Sequence, residues 1–212
     1  MDKLILTILY LAIFYKFPLA TLLVSIGLSM MYHLKKKFMC YSISKEKPIR
    51  PKAGDILLFF SNNIMNPSHH ILWDGILTIP TIFPVRHYGI VLDDTYYLEA
   101  RHPSVFKWDN FTRKITNGAR LGKLKHVQKD WNQGMIAVVE TNLDVTRANF
   151  QSIQDTMTGK KYWEVFGCIG VINKCIGMIN PDHKLCFRVE DFIVAYGKRY
   201  GPLETHSTSI NR

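Results

Sequence analysis

Arg86-His87-Tyr88-Gly89-Ile90-Val91-Leu92, a polar Asp93-Asp94-Thr95, and Tyr96-Tyr97-Leu98-Glu99-Ala100 read together as a β-hairpin. Both arms are rich in β-branched, aromatic and aliphatic residues, and the segment between them has the composition of a turn. His87 and Glu99 are separated by an even number of positions, so a three-residue turn centred on Asp93 predicts that they stand opposite each other on one face. A carboxylate beside an imidazole fixes its tautomer and stabilises its protonated form, as a general base requires.

A base implies a nucleophile elsewhere in the chain. Of the four cysteines, Cys40, Cys168, Cys175 and Cys186, the last follows the break Asn180-Pro181-Asp182-His183 and precedes a helical run to Tyr196, with Gly197 as its C-terminal cap. That placement predicts Cys186 in the first turn of a helix, where unpaired N–H groups and the helix dipole lower a thiol pKa. Cys168 and Cys175 fall inside an apolar run from Tyr162 to Met178, about as long as a buried core helix, and read as packing residues. They are the remaining thiols to examine if Cys186 lies away from His87. The cysteines show no zinc-type pairing and no disulfide framework, which points to free thiols in a reducing compartment. His69, His70 and Asp74 lie in an irregular stretch and read as loop residues rather than metal ligands. The residues call for no metal and no cofactor.

Leu4 to Tyr32 is almost entirely apolar, broken by Lys16 and Pro18, and the whole stretch is needed to reach the roughly 20 residues of a bilayer span. It predicts a retained N-terminal transmembrane helix over residues 1–34. A basic linker over 35–53 follows, and Lys35-Lys36-Lys37 with the lysines and arginine soon after places the remainder on the cytosolic side by the positive-inside rule. The Asn110-Phe111-Thr112 sequon is then unused. The net charge is +10, but the only dense basic cluster adjoins the apolar segment, and no aromatics interleave with a basic groove. A membrane surface is favoured over nucleic acid.

Within 212 residues, this leaves one domain over 54–201 and a flexible tail over 202–212. Asp55 to Phe60 reads as a buried strand, with Asp55 as a turn-capping residue after Gly54. Val105 to Trp108, Leu121 to Val127 and Met135 to Thr141 read as further strands, and Phe150, Ile153 and Met157 mark a helix from about Thr146 to Gly159.

Three of these segments carry a family resemblance. Pro51-Lys52-Ala53-Gly54-Asp55-Ile56-Leu57-Leu58-Phe59 is similar to an opening "PGDILLF" strand, His87-Tyr88-Gly89-Ile90-Val91-Leu92 to "HVGIVL", and Tyr97-Leu98-Glu99-Ala100 to "VLEA". The chain thus resembles the permuted NlpC-type papain-like proteins, which include lecithin:retinol acyltransferase relatives, bacterial YiiX-type proteins and homologues in poxviruses and other large DNA viruses. Over residues 50–200 the resemblance implies an α+β, circularly permuted papain-like fold: an antiparallel sheet with packed helices. It implies His87 as base, Glu99 as orienting residue and Cys186 as nucleophile. Phe187-Arg188-Val189 depart from the Ser or Thr and acidic residue that commonly follow the family's cysteine. The expected activity is that of a membrane-anchored cysteine hydrolase or acyltransferase on an amide or ester of a lipid, lipidated or peptide substrate. The alternative is a catalytically weak or inactive membrane-bound structural or assembly protein, such as a virion component with membrane protein partners.

Overall fold

The computed structural model describes residues 15–60, 85, 87–100, 107–108, 115–116, 118–131, 134–161, 164–165, 167–186 and 189–204. His69, His70, Asp74, the Asn110 sequon and the tail from residue 205 lie outside them. The chain divides into two units, Met1–Met39 with Ile64–Pro84, and Cys40–Asn63 with Val85–Arg212. In the first, the described residues belong chiefly to helix α1 (Pro18–Ser44). Its apolar side chains Leu19, Leu23, Val24, Met30, Leu34 and Phe38 are exposed. Among the described residues no helix is long and apolar enough to cross a membrane, and the expected span begins before residue 15, outside them. Residues 35–44, expected as part of the 35–53 linker, are helical instead, and Ile43 is fully buried in the second unit.

The second unit is mixed α+β and is built on a six-stranded antiparallel sheet, ordered β6-β3-β2-β1-β7-β8. Its strands are β1 (Ile56–Phe59), β2 (His87–Val91), β3 (Tyr96–Ala100), β6 (Ala119–Lys123), β7 (Ile136–Thr141) and β8 (Gly197–Pro202). A separate pair joins β4 (Lys107–Trp108) to β5 (Ile115–Thr116). Strand β1 is buried at all four positions, as a central strand covered on both faces must be. On one face Leu57, Phe59, Val91, Tyr97, Ile136 and Val138 pack with Val127 of the short helix α2 (Val127–Asp130) and with Trp131, which caps its C-terminal end. Each large side chain so buried contributes about 1.5–3 kcal/mol. Gly122 sits under the Tyr97 ring, where a Cβ would fall 2.4 Å from ring atoms, so that position admits no larger residue.

Three helices complete the unit. Helix α3 (Arg147–Met157) starts at Thr146, whose hydroxyl accepts from the Asn149 N–H while the Asn149 side chain accepts from the Thr146 N–H. Helix α4 (Gly167–Ile179) packs against β2, β3 and α3, and α5 (Val189–Tyr196) packs against β7 and β8.

Several boundaries differ from the sequence-based expectation. The helix expected from Tyr162 begins at Gly167, whose φ of 75° turns the chain into the helix as a non-glycine residue rarely does. The strand expected from Leu121 begins at Ala119 and gives way at Leu124 to a 3₁₀ turn. Strand β8 begins at Gly197, expected as a helix cap, and ends at Pro202, expected to open the flexible tail; an edge strand tolerates its glycines and proline because only one side needs a partner.

Asp55 is a capping residue. Its fully buried carboxylate accepts the Lys52 N–H and the Thr141 N–H, both at 2.9 Å, joining the entry to β1 with the end of β7. Burial pushes its pKa up, and those two hydrogen bonds work against the shift.

Candidate active site

The hairpin turns on Asp93-Asp94-Thr95, with the Asp93 carboxylate accepting the N–H groups of Thr95 at 2.7 Å and Tyr96 at 2.6 Å. Its register pairs Gly89 with Glu99 and Val91 with Tyr97, so the turn is centred on Asp94 rather than Asp93. Glu99 therefore faces Gly89 directly, and His87 is its diagonal neighbour on the same face. Gly89 presents no side chain there, and Glu99 reaches across: its Oε2 lies 2.7 Å from His87 Nε2. An ionised carboxylate only accepts, so Nε2 carries the hydrogen and the lone pair is on Nδ1.

The imidazole is held by its surroundings as well as by Glu99. His87 is buried, tilted against the Phe59 ring at 5.1 Å between centroids and stacked with Trp131 at 6.1 Å. The Trp131 indole N–H donates to the Phe60 carbonyl at 3.0 Å, which fixes the ring that covers the histidine.

Arg120, which the sequence reading passed over, completes the polar group. The β3–β6 register sets it directly opposite Glu99. Its Nε donates to Glu99 Oε1 at 2.7 Å, a second guanidinium nitrogen also meets Oε1, and that nitrogen lies 3.7 Å from Asp130 Oδ2. Glu99 and Arg120 are fully buried. A charged carboxylate is retained at such a site when it is paired and hydrogen-bonded, which these contacts provide. The available signal was an arginine in an otherwise apolar Ala119-Arg120-Leu121 run, one position before the expected strand.

The cysteines fall differently from expectation. Cys186 precedes α5 by three residues, outside its first turn. Its backbone N–H donates to Asn173 Oδ1 at 2.8 Å, its carbonyl accepts from Asn173 Nδ2 at 2.7 Å, and its thiol meets the Lys184 carbonyl at 3.5 Å. His87 and Glu99 are not among these partners. Burial, aided by the Asp191 charge, pushes the thiol pKa up, opposite to the expected lowering. The nearby imidazole of His183 uses both nitrogens, one on the Tyr196 hydroxyl at 2.6 Å and one on Asn173 Oδ1 at 2.8 Å.

Cys168 occupies the first turn of α4, directly after Gly167. Burial pushes its pKa up to about 11, and hydrogen bonds from the backbone at Tyr88, Ile169 and Cys168 itself act against that rise, while the Glu99 charge adds to it. A backbone group lowers a thiol pKa only by donating its N–H to the sulfur. The Cys168 thiol therefore feels both the Tyr88 backbone, next to His87, and the charge of the carboxylate that holds His87. Cys175 is fully buried deeper in α4, and burial alone pushes its pKa far up.

Among the described residues no group of three or more His, Cys, Asp or Glu is arranged to hold a metal ion. No family model matches the chain, and neither a curated protein nor a solved structure matches it.

Proposed function

We propose that the protein is a membrane-tethered thiol hydrolase or acyltransferase of the permuted papain-like kind, with Cys168 in the role that the sequence reading gave to Cys186. The observation that carries this reading is the place of Cys168, in the first turn of a helix that packs against both β2 and β3, the strands of His87 and Glu99. Nucleophile, base and orienting carboxylate then come from α4, β2 and β3, elements that pack on one another. His87 Nδ1 takes the thiol proton as sulfur attacks an amide or ester carbonyl. Glu99 stabilises the imidazolium, which returns the proton to the leaving group, and water or a second acceptor resolves the acyl-enzyme. With its pKa pushed up, the resting thiol is neutral near pH 7, so proton removal accompanies attack instead of preceding it.

The tether rests on α1. Its exposed apolar side chains and Lys35 to Lys37 suit a lipid bilayer, with the second unit on the cytosolic side and a lipid, lipidated or peptide substrate. The elevated Cys168 pKa favours one other reading, a membrane-bound structural or assembly protein that keeps the fold without the chemistry.

An acylating or alkylating thiol probe applied to the full-length protein in detergent separates the two. Saturable labelling at Cys168, lost in His87→Gln and retained in Cys186→Ser, is expected of the enzyme. Labelling that ignores His87, or that maps to Cys186, would remove Cys168 from the nucleophile's role.

A further inference from the structure

Glu99 has two oxygens and two different partners. Oε2 faces His87 at 2.7 Å, whereas Oε1 is taken by Arg120 through Nε at 2.7 Å and through a second guanidinium nitrogen. All of this happens in the sheet interior, where Glu99 and Arg120 are buried, and the Arg120 guanidinium also approaches the half-buried Asp130. Two guanidinium nitrogens converge on the one oxygen Oε1, so Arg120 engages that oxygen and leaves Oε2 to the imidazole.

We infer that Arg120 is a positioning residue for the His87–Glu99 pair: by occupying Oε1 and neutralising the carboxylate, it turns Oε2 to the imidazole and keeps His87 an uncharged base. The inference rests on the proposed thiol chemistry for its purpose, though its geometry stands without it.

The charge balance gives the direction. Among the described residues, His87 from β2 and Arg120 from β6 meet the Glu99 carboxylate, the Cys168 thiol of α4 feels its charge, and Asp130 of α2 meets Arg120. With Arg120 present, one cation already compensates Glu99, so a second proton on the pair is unneeded. With Arg120 removed, a lone buried carboxylate remains beside an imidazole, and the pair holds one proton between them up to a higher pH. A base that is already protonated cannot accept the thiol proton.

Nitrogen and proton NMR of the histidine rings in the full-length protein in detergent reads this without turnover, the His87 signals being assigned by their loss in His87→Gln. The expected result for Arg120→Met is a rise of about one pH unit or more in the midpoint at which the pair takes up its proton. Arg120→Lys, which keeps the charge and loses the fork, falls between Arg120→Met and wild type. A folded Arg120→Met protein with an unmoved midpoint would overturn the inference. Where removal of Arg120 alone unfolds the protein, Glu99→Gln is compared with Glu99→Gln/Arg120→Met, since removing both members leaves no buried charge unpaired. Identical His87 titrations in those two show that Arg120 acts through Glu99, and different ones show that it does not. Failure of Cys168 to label, with the Arg120 effect intact, would sink the enzyme reading and leave this inference standing.

Discussion

Cys168 and Cys186 both adjoin a helix start, and the helix start does not distinguish them. Cys168 follows a glycine of positive φ and lies inside the first turn of α4, a helix that packs against β2. Cys186 lies ahead of α5 and is clamped through its backbone by the Asn173 amide, with its sulfur against the Lys184 carbonyl. Burial raises both pKa values, so helix position alone does not produce a thiolate here. What separates the two cysteines is the element packed beside each: the His87 hairpin for one, the His183–Asn173–Tyr196 cluster for the other.

The largest expected effect tests that contrast at its centre. Cys168→Ser should reduce His87-dependent labelling or acyl transfer by at least about 10³-fold, because it removes the proposed nucleophile and leaves only binding and electrostatic contributions. Comparing initial rates for this variant and Cys186→Ser under one set of conditions checks it. Equal losses in both would mean that the two environments are not functionally distinct.

Asn173 should matter next, through stability. Its side chain accepts from the Cys186 N–H and from His183, and donates to the Cys186 carbonyl, so Asn173→Ala leaves buried backbone groups without their partner. The expected loss is about 2–3 kcal/mol, read as a lower urea midpoint at unchanged slope. An unchanged midpoint would mean that the clamp seen around Cys186 holds nothing.

Much of this arrangement was legible in the sequence. An unbroken apolar run marked β1, two β-rich arms around a polar turn marked the hairpin, and the even spacing of His87 and Glu99 put them on one face wherever the turn was centred, because a shift of the turn by one residue changes the directly paired residue by two and preserves the face. The parts that escaped depended on long-range packing. Arg120 is meaningful only once β6 pairs with β3, and the start of α4 at Gly167 depends on a backbone conformation that the apolar periodicity of 162–178 does not encode. Reading the helix from Tyr162 put Cys168 in its interior and made it a packing residue. The later break at Pro181 then made Cys186 look like the better helix start.

A smaller effect follows from pH. The Cys168 thiol has a pKa of about 11 in the folded chain against 9.0 for an unperturbed cysteine. A raised pKa means that the native state holds the proton longer than the unfolded state. The associated stability is full below pH 9.0 and is lost as pH rises towards about 11. Cys168→Ser should therefore lose less stability than wild type across that interval, by about 1–2 kcal/mol once solvent screening at a residue that is only half-buried is allowed for. Denaturant titrations under reducing conditions at pH 8, 9, 10 and 11 (roughly unit steps across the window) measure it. Parallel curves for the two proteins would show that Cys168 does not carry the proton.

Cys186→Ser should give the smallest change. Serine keeps the backbone N–H and carbonyl that Asn173 holds, and its hydroxyl can donate to the Lys184 carbonyl as the thiol does. What is lost is a sulfur in a nearly closed site, replaced by a smaller and more polar oxygen, for which a cost under about 1.5 kcal/mol is expected. Labelling at Cys168 should stay within a few-fold of wild type, because α4 and the β2–β3 hairpin retain every contact described around that cysteine. The informative result is the opposite one. If Cys186→Ser abolished His87-dependent labelling while its urea midpoint stayed near wild type, a structural explanation would fail, and the thiol before α5 would have to reach the hairpin in a conformation other than the one described.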